Sequence, residues 1–484
     1  MLWRSVISPA YLNYRQRLVG DTAKEEERSC EREDLRQHRE EAAGVGGGSK
    51  TTKFDTTLQT SSTTCRRELK VCAKQRGAVL CCFFVQAANK TSMLRWALGI
   101  VSPSRFQMAP LQADATMRAA LYRTQGDPSV LELDSSVPTP IPAPGSRQVL
   151  IDVRAAGLNP VDCKLRKNPL PEFLRPLPKI LGCDVSGIVK LAPPGSRFHQ
   201  GDRVFAMLPP LGTTYGGCTE QCVVEESELA LAPEGVNFID LASLPLVSCT
   251  VVQALRPVVA AHGGKDRLRG KKCFVSAGSG GLGVLAIQYC ARVLGMDVLT
   301  SASPRNFALL QSLGASRCID YHTQSLSEHV RGVDVFFDSL GWKHEEQVMA
   351  AGSEIVAEGG WYIRIASSPF PNRGEQHALS PDPLGLAIPE ARLDRIVEGY
   401  ARTALSQLHT LGFSLGILPP PKIKYHFVLV TPDGLALEEI AAAVKAGQVR
   451  AVVQEVFPLS QVQQAAALLE MGHVTGKLVI DMRE

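Results

Sequence analysis

The chain has 484 residues, 45% of them hydrophobic and 21% charged, which suits two or three globular domains, and no uninterrupted apolar run of about 18 residues offers a transmembrane helix. The net charge of +4 is carried by the N-terminal segment: residues 1–115 hold 18 Lys and Arg against 12 Asp and Glu, leaving 34 against 36 for the rest. A body this close to neutral argues against a broad phosphate-binding face, and so against nucleic acid as a partner.

Residues 1–115 read as an extension that does not pack as a domain. They contain a charge run, "EEERSCEREDLRQHREE", a spacer, "GVGGGSK", and a polar low-complexity stretch, "TTKFDTTLQTSSTT". The first twenty residues carry Arg4, Arg15 and Arg17 and no acid, and a second acid-free start follows at Met93; both have the composition of a mitochondrial presequence. A disordered tail on a cytoplasmic protein, or a start codon assigned too far upstream, remains the alternative.

From about Arg118 short β-like runs alternate with turn signals, as in "QVLIDVRAAGLNP", "SGIVKLAPPGSRF" and "GDRVFAML". After Leu244 the pattern becomes strand, helix, strand: "KKCFVSA", "VLAIQYCARVLG", "DVLTSAS", "NFALLQSLGA", "RCIDY" and "GVDVFFDSLG". This predicts a parallel sheet covered by helices on both faces. Proline-rich sequence over residues 366–424 reads as an insertion. The chain returns to order with a helix closed near Gly447, a capping box of Ser460 and Gln463 opening another helix, and a strand, "GKLVIDM". Thirteen cysteines form neither paired C-x-x-C clusters nor a regular ladder, which points to reduced thiols.

The stretch "SAGSGGLG", residues 276–283, lies between a strand and a helix, the setting of a dinucleotide fingerprint. Against G-x-G-x-x-G it is read with Ala277 at the first turn, a small residue in place of glycine. Ser279, Gly280, Gly281, Leu282 and Gly283 are then the backbone that approaches a pyrophosphate at the helix N-terminus. At the end of the second strand, where an NAD-binding protein would present an acid to the ribose, this chain has Ser301, Ser303 and Arg305. Hydroxyls and a guanidinium suit a 2′-phosphate, which predicts NADPH.

Together with "GLNPVDCKLR", "LGCDVSGIV", "YGGCTEQCVV", "LASLPLVSCTVVQAL" and "GHVTGKLVI", these segments resemble the medium-chain dehydrogenase/reductase superfamily, in its zinc-free quinone oxidoreductase branch. The similarity runs from about Arg118 to Glu484 and extends to the reticulon-interacting mitochondrial oxidoreductases, with "TSASPRN" also similar to trans-acting enoyl reductases. The resemblance implies an α/β protein with a GroES-like β-rich catalytic domain, residues 116–243 completed by 435–484, and a Rossmann doubly wound parallel sheet, residues 244–434. It also implies NADPH-dependent reduction of a quinone or an activated alkene. Zinc-dependent relatives place Cys and His where this chain has Asn159 and Cys183, so no metal is expected. Cys218 and Cys222 are expected as core thiols.

By the same resemblance Asn159 and Asp162 fall at cleft positions, with Asn159 expected as a hydrogen-bond donor. Lys164 would face the same way as Asp162 if the segment is an extended strand. Tyr215 is a weaker proton-donor candidate. Tyr321 matches a position against the phosphate end of the cofactor, and Ser339 and Gly341 match the loop beside the nicotinamide ribose. A homodimer is the expected assembly, with the insertion at the active-site rim or an oligomer edge. Two rival readings stay open: a trans-acting enoyl reductase for a carrier-bound substrate, and a cofactor-binding protein with a structural, non-catalytic role.

Overall fold

The computed structural model describes residues 111–168, 170, 175–340, 342–365, 402–403, 405–407, 409 and 421–483. The presequence-like starts, most of the proline-rich insertion and Gly341 lie outside the described residues.

The β-rich part opens with β1 (Leu111–Tyr122), which pairs with β2 (Glu132–Pro140) and, at its far end, with the two-residue strand Lys179–Ile180. β1 therefore begins ahead of the boundary expected at residue 116. β3 (Gln148–Leu158) ends at Asn159, which caps α1 (Pro160–Lys167); β4 (Lys179–Ile180), β5 (Asp184–Leu191), β6 (Arg203–Met207), β7 (Gln221–Glu225) and β8 (Leu229–Leu231) follow. Val149, Ile151, Val153, Val185, Val204 and Cys222 pack inside this sheet, as period-two alternation requires. Cys218 is buried in the same core.

Short α2 (Phe238–Ala242) leads to α3 (Pro245–His262), which starts on Pro245 and stops at Gly263, whose φ of 79° gives the left-handed cap that ends helices. The second sheet then alternates strand and helix: β9 (Lys272–Val275), α4 (Gly281–Gln288), β10 (Asp297–Ala302), α5 (Phe307–Leu313), β11 (Ala315–Asp320), α6 (Leu326–His329), β12 (Val333–Asp338), α7 (Trp342–Ala351), β13 (Val356–Ile365) and β14 (Ile423–Val428). All six strands are parallel in the order β11-β10-β9-β12-β13-β14. The order reverses between β9 and β12, so loops leaving β9 and β12 diverge and open a crevice at the strands' C-terminal ends. The doubly wound sheet expected from the sequence is the one found. The stretch read as one helix after the glycine loop divides into α4 and a π-helical turn, Tyr289–Val293.

The chain then crosses back. α8 (Gly434–Lys445) is followed by β15 (Val453–Pro458), α9 (Val462–Glu470) and β16 (Lys477–Asp481), and β16 inserts antiparallel beside β3, Leu478 opposite Leu158. The expected capping box does not form. Ser460 sits in a 3-10 turn, Leu459–Gln461, that delays the helix, and Gln463 Nε2 donates instead to Leu131 O at 2.6 Å.

Candidate active site

The glycine turn is built by close approach. A Cβ on Gly278 would stand 2.1 Å from Thr300 Oγ1, and one on Gly283 would stand 2.4 Å from the Ala277 carbonyl. Gly278, Gly280 and Gly283 thus complete G-x-G-x-x-G, and Ala277 precedes the pattern rather than replacing its first glycine. Ala277 nevertheless has φ 50°, the one left-handed non-glycine among the described residues. A left-handed alanine carries about 1–2 kcal/mol of strain, while glycine gives up about 0.5–1 kcal/mol of chain entropy. Ala277→Gly is therefore expected to unfold within about 1 kcal/mol of wild type in urea. Gly278→Ala must push Thr300 off its 2.7 Å bond to the Val275 carbonyl, and is expected to cost about 2 kcal/mol or more in the same measurement.

The turn sits at the N-terminus of α4, whose first N–H groups have no acceptor within the helix. Ser301 is buried beneath it: its carbonyl accepts from Gly278 N at 2.9 Å and its Oγ from Ala277 N at 3.3 Å. Ser303 and Tyr321 come together at the next two strand ends, 3.1 Å apart, and Arg305 is exposed nearby on a 3-10 turn. On the other side of the crevice Ser339 is tied to Ser276, its N donating to Ser276 Oγ at 2.8 Å and its Oγ to the Ser276 carbonyl at 3.0 Å. Beneath them the buried Asp338 accepts from Ser276 Oγ at 2.9 Å and Tyr362 OH at 2.6 Å, which stiffens the loop.

Gly476 joins the two sheets at this point. It forms a parallel bridge with Gly280, and its N donates to Ser279 O at 2.8 Å. The next side chain, Lys477, runs over Gly281, where a Cβ would come within 2.7 Å of Lys477 Cδ. Its ammonium reaches Asp184 Oδ2 at 3.0 Å and Asn159 Oδ1, while Asn159 Nδ2 donates to Asp184 Oδ2 at 2.9 Å. Asp184 Oδ1 accepts the Leu246 N–H of α3 at 2.7 Å. Asn159, Asp184 and Lys477 are 1%, 0% and 5% exposed, so the cluster is a desolvated ion pair closed by an amide. The amide orientation is forced: lysine only donates and the carboxylate only accepts. One Nδ2–H of Asn159 is left over among the described residues.

Asp162 lies beneath Asn159. Its Oδ2 accepts the Asn159 backbone N–H at 2.8 Å and its Oδ1 the Cys183 thiol at 3.0 Å. Burial pushes its carboxyl up to about 6, against the bonds from Cys183 and Asn159 that lower it. A folded value above the unfolded one favours the native state below about pH 4, and that contribution is lost as pH rises through about 6. Asp162→Asn, which cannot ionise, is expected to gain stability relative to wild type by about 2 kcal/mol between about pH 4 and 8, as read from unfolding midpoints.

The extended strand expected here is corrected: residues 160–167 are α1, entered through Asn159 and Pro160 with Asp162 as the reciprocal cap. Two residues apart on a helix, Asp162 and Lys164 do not share a face. Lys164 is held below the usual lysine range by burial. Tyr215 is partly buried, its phenol raised by desolvation, and its carbonyl accepts from the buried Lys179 Nζ at 3.2 Å. Sequence reading missed Lys179, Asp184, Lys477 and His322; the quoted segments "LGCD" and "GHVTGKLVI" contain two of these but give no sign that they meet.

Among the described residues no group of three or more His, Cys, Asp or Glu is arranged to hold a metal ion. No described helix is long and apolar enough to cross a membrane.

Residues 145–234 match the alcohol dehydrogenase GroES-like domain, and residues 313–480 match a family described as zinc-binding dehydrogenase. The chloroplast envelope quinone oxidoreductase homolog of Arabidopsis thaliana is 30% identical over 71% of this chain and 93% of its own length. The chloroplastic NADPH-dependent alkenal/one oxidoreductase of the same plant is 29% identical, over 75% of this chain and 79% of that one. The mitochondrial NAD(P)H oxidoreductase RTN4IP1 of Danio rerio is also 29% identical, over 70% and 84%. Among solved structures, the quinone oxidoreductase from Coxiella burnetii superposes with a TM-score of 0.57 at 27% identity, covering 76% of this chain and all of that one.

Proposed function

Because the chain belongs to the medium-chain dehydrogenase/reductase superfamily, we propose that it is an oxidoreductase that reduces a quinone or an activated alkene with NADPH and without zinc. The observation that carries this reading is the Gly476–Lys477 junction, which brings a dinucleotide turn and a buried polar cluster to one crevice.

NADPH, when bound, supplies a hydride. Ser279, Gly280, Gly281, Leu282 and Gly283 would hold its pyrophosphate through backbone N–H groups at the start of α4. Ser301 supports that turn from below. Ser303, Arg305 and Tyr321 would hold the 2′-phosphate, and Ser339 and Gly341 would border the nicotinamide ribose. On the catalytic side we assign Asn159 as the donor, through its remaining Nδ2–H, to the oxygen that gains charge as the substrate is reduced. Asp162 positions Asn159 through the backbone. Lys164, turned onto another face of α1, is assigned no step.

The residues do not fit a catalytic zinc. Such a site needs about three protein ligands, whereas here the Asn159 oxygen and the Asp184 carboxylate already face the Lys477 ammonium, and the Cys183 thiol is spent on Asp162. A quinone or enone, being electron-poor already, needs a hydrogen-bond donor rather than a Lewis acid.

The relatives named for alkenals and quinones support the substrate class. The relative named mitochondrial supports delivery to that organelle, while the two plant relatives are named for the chloroplast. The test is NADPH oxidation by the purified chain against quinones, enals and enoyl thioesters, before and after chelation. Turnover of quinones or enals that survives chelator is the expected result. Turnover confined to enoyl thioesters would favour the carrier-dependent reading, and activity restored only by zinc would refute the metal-free one.

A further inference from the structure

Parallel pairing of β10 with β11 sets Ser301 beside Ile319 and Ala302 beside Asp320. The residues that follow, Ser303 on one side and Tyr321 and His322 on the other, are thereby delivered to one spot. Ser303 Oγ lies 3.1 Å from Tyr321 OH and 3.3 Å from His322 Nε2, and the Tyr321 and His322 rings pack with centroids 4.1 Å apart. Tyr321 is 55% exposed and His322 is exposed, so this cluster faces solvent and is accessible to a ligand. The neighbouring carboxylate, Asp320, is occupied within its own turn: Oδ1 accepts the His322 backbone N–H at 3.0 Å and Oδ2 the Thr323 hydroxyl at 3.1 Å. Arg305, on the turn that Ser303 opens, has no ion-pair or hydrogen-bond partner among the described residues.

A serine hydroxyl, a phenol and an imidazole thus converge, with a guanidinium on the turn that the serine opens, and none of the four side chains is bonded to a carboxylate. Each can donate outward without breaking an ion pair. A phosphate monoester, with three terminal oxygens and close to two negative charges, is the ligand that such a donor set matches. We propose that His322 is a specificity-determining contact for the 2′-phosphate of the cofactor, completing the set formed by Ser303, Arg305 and Tyr321; this rests on the NADPH reading above.

Two nucleotides isolate the phosphate from the rest of the cofactor: adenosine 2′,5′-bisphosphate and adenosine 5′-phosphate. Calorimetric titration of the full chain is expected to show strong preference for the bisphosphate in wild type. His322→Ala should lower that preference about tenfold, the size of one charge-assisted hydrogen bond at an exposed site, while leaving adenosine 5′-phosphate unaffected. His322→Phe keeps a ring against Tyr321 but removes the nitrogen, and should behave as the alanine variant does even if alanine loosens the turn. If both ligands weaken together in both variants, or the phenylalanine variant keeps the full preference, His322 is a turn residue and the inference is overturned. If wild type binds the two nucleotides alike, the NADPH reading itself fails.

Discussion

Lys477→Met is expected to cost the fold about 3–5 kcal/mol, because it strands the Asp184 carboxylate in a site that water does not reach. Lys477 is 5% exposed and Asp184 is fully buried, and the two stand 3.0 Å apart. Methionine retains the apolar stem that lies over Gly281, so the loss comes from the charge and not from packing. The control removes the other charge as well. Asp184→Asn combined with Lys477→Met leaves an amide oxygen to accept the Leu246 N–H, and is expected to recover at least half of the lost stability. Urea unfolding of wild type, single and double variants measures both. A single variant that loses less than about 1 kcal/mol would mean that Asp184 is hydrated in solution.

In Arg305→Ala the Michaelis constant for NADPH should rise by about one to two orders of magnitude, the equivalent of one charge-assisted contact to phosphate. NADH lacks the 2′-phosphate and should be nearly indifferent to the change. Arg305 is exposed and without a partner among the described residues, so its removal strands no buried group, and the melting temperature should hold. Steady-state kinetics with both cofactors decide the matter. Equal losses would make Arg305 structural, and a wild type that prefers NADH would refute the assignment of the phosphate site.

Strands β9 to β12 of the doubly wound sheet were legible because their signals are local: each is a short apolar run, and glycines mark the tight turn that follows β9. β13 and β14 were not read as strands, because the proline-rich stretch between them breaks the strand–helix alternation. The helix at residues 160–167 was also written locally, in Asn159, Pro160 and Asp162 at the cap, N1 and N3 positions, but the apolar alternation of β3 running up to it invited an extended reading. The buried cluster was not legible. Lys477 is 293 residues from Asp184 and 318 from Asn159, and nothing in "TGKLVI" marks its lysine as buried. His322 escaped for a different reason: its place beside Ser303 follows from strand register, which no single segment carries.

The insertion of β16 beside β3 also sets a timetable for synthesis. β3 leaves the ribosome long before the strand that covers its edge, since Asn159 and Lys477 are 318 residues apart. At ordinary elongation rates of about 5–20 residues per second, that edge waits on the order of tens of seconds for its neighbour. The parallel sheet meanwhile receives its last strand, Ile423–Val428, and can close first. For the last part of that interval, between Val428 and Lys477, the nascent chain carries a finished nucleotide fold next to an open, hydrogen-bond-hungry sheet edge, which is the surface where a chaperone would hold it and where two growing chains would pair by mistake.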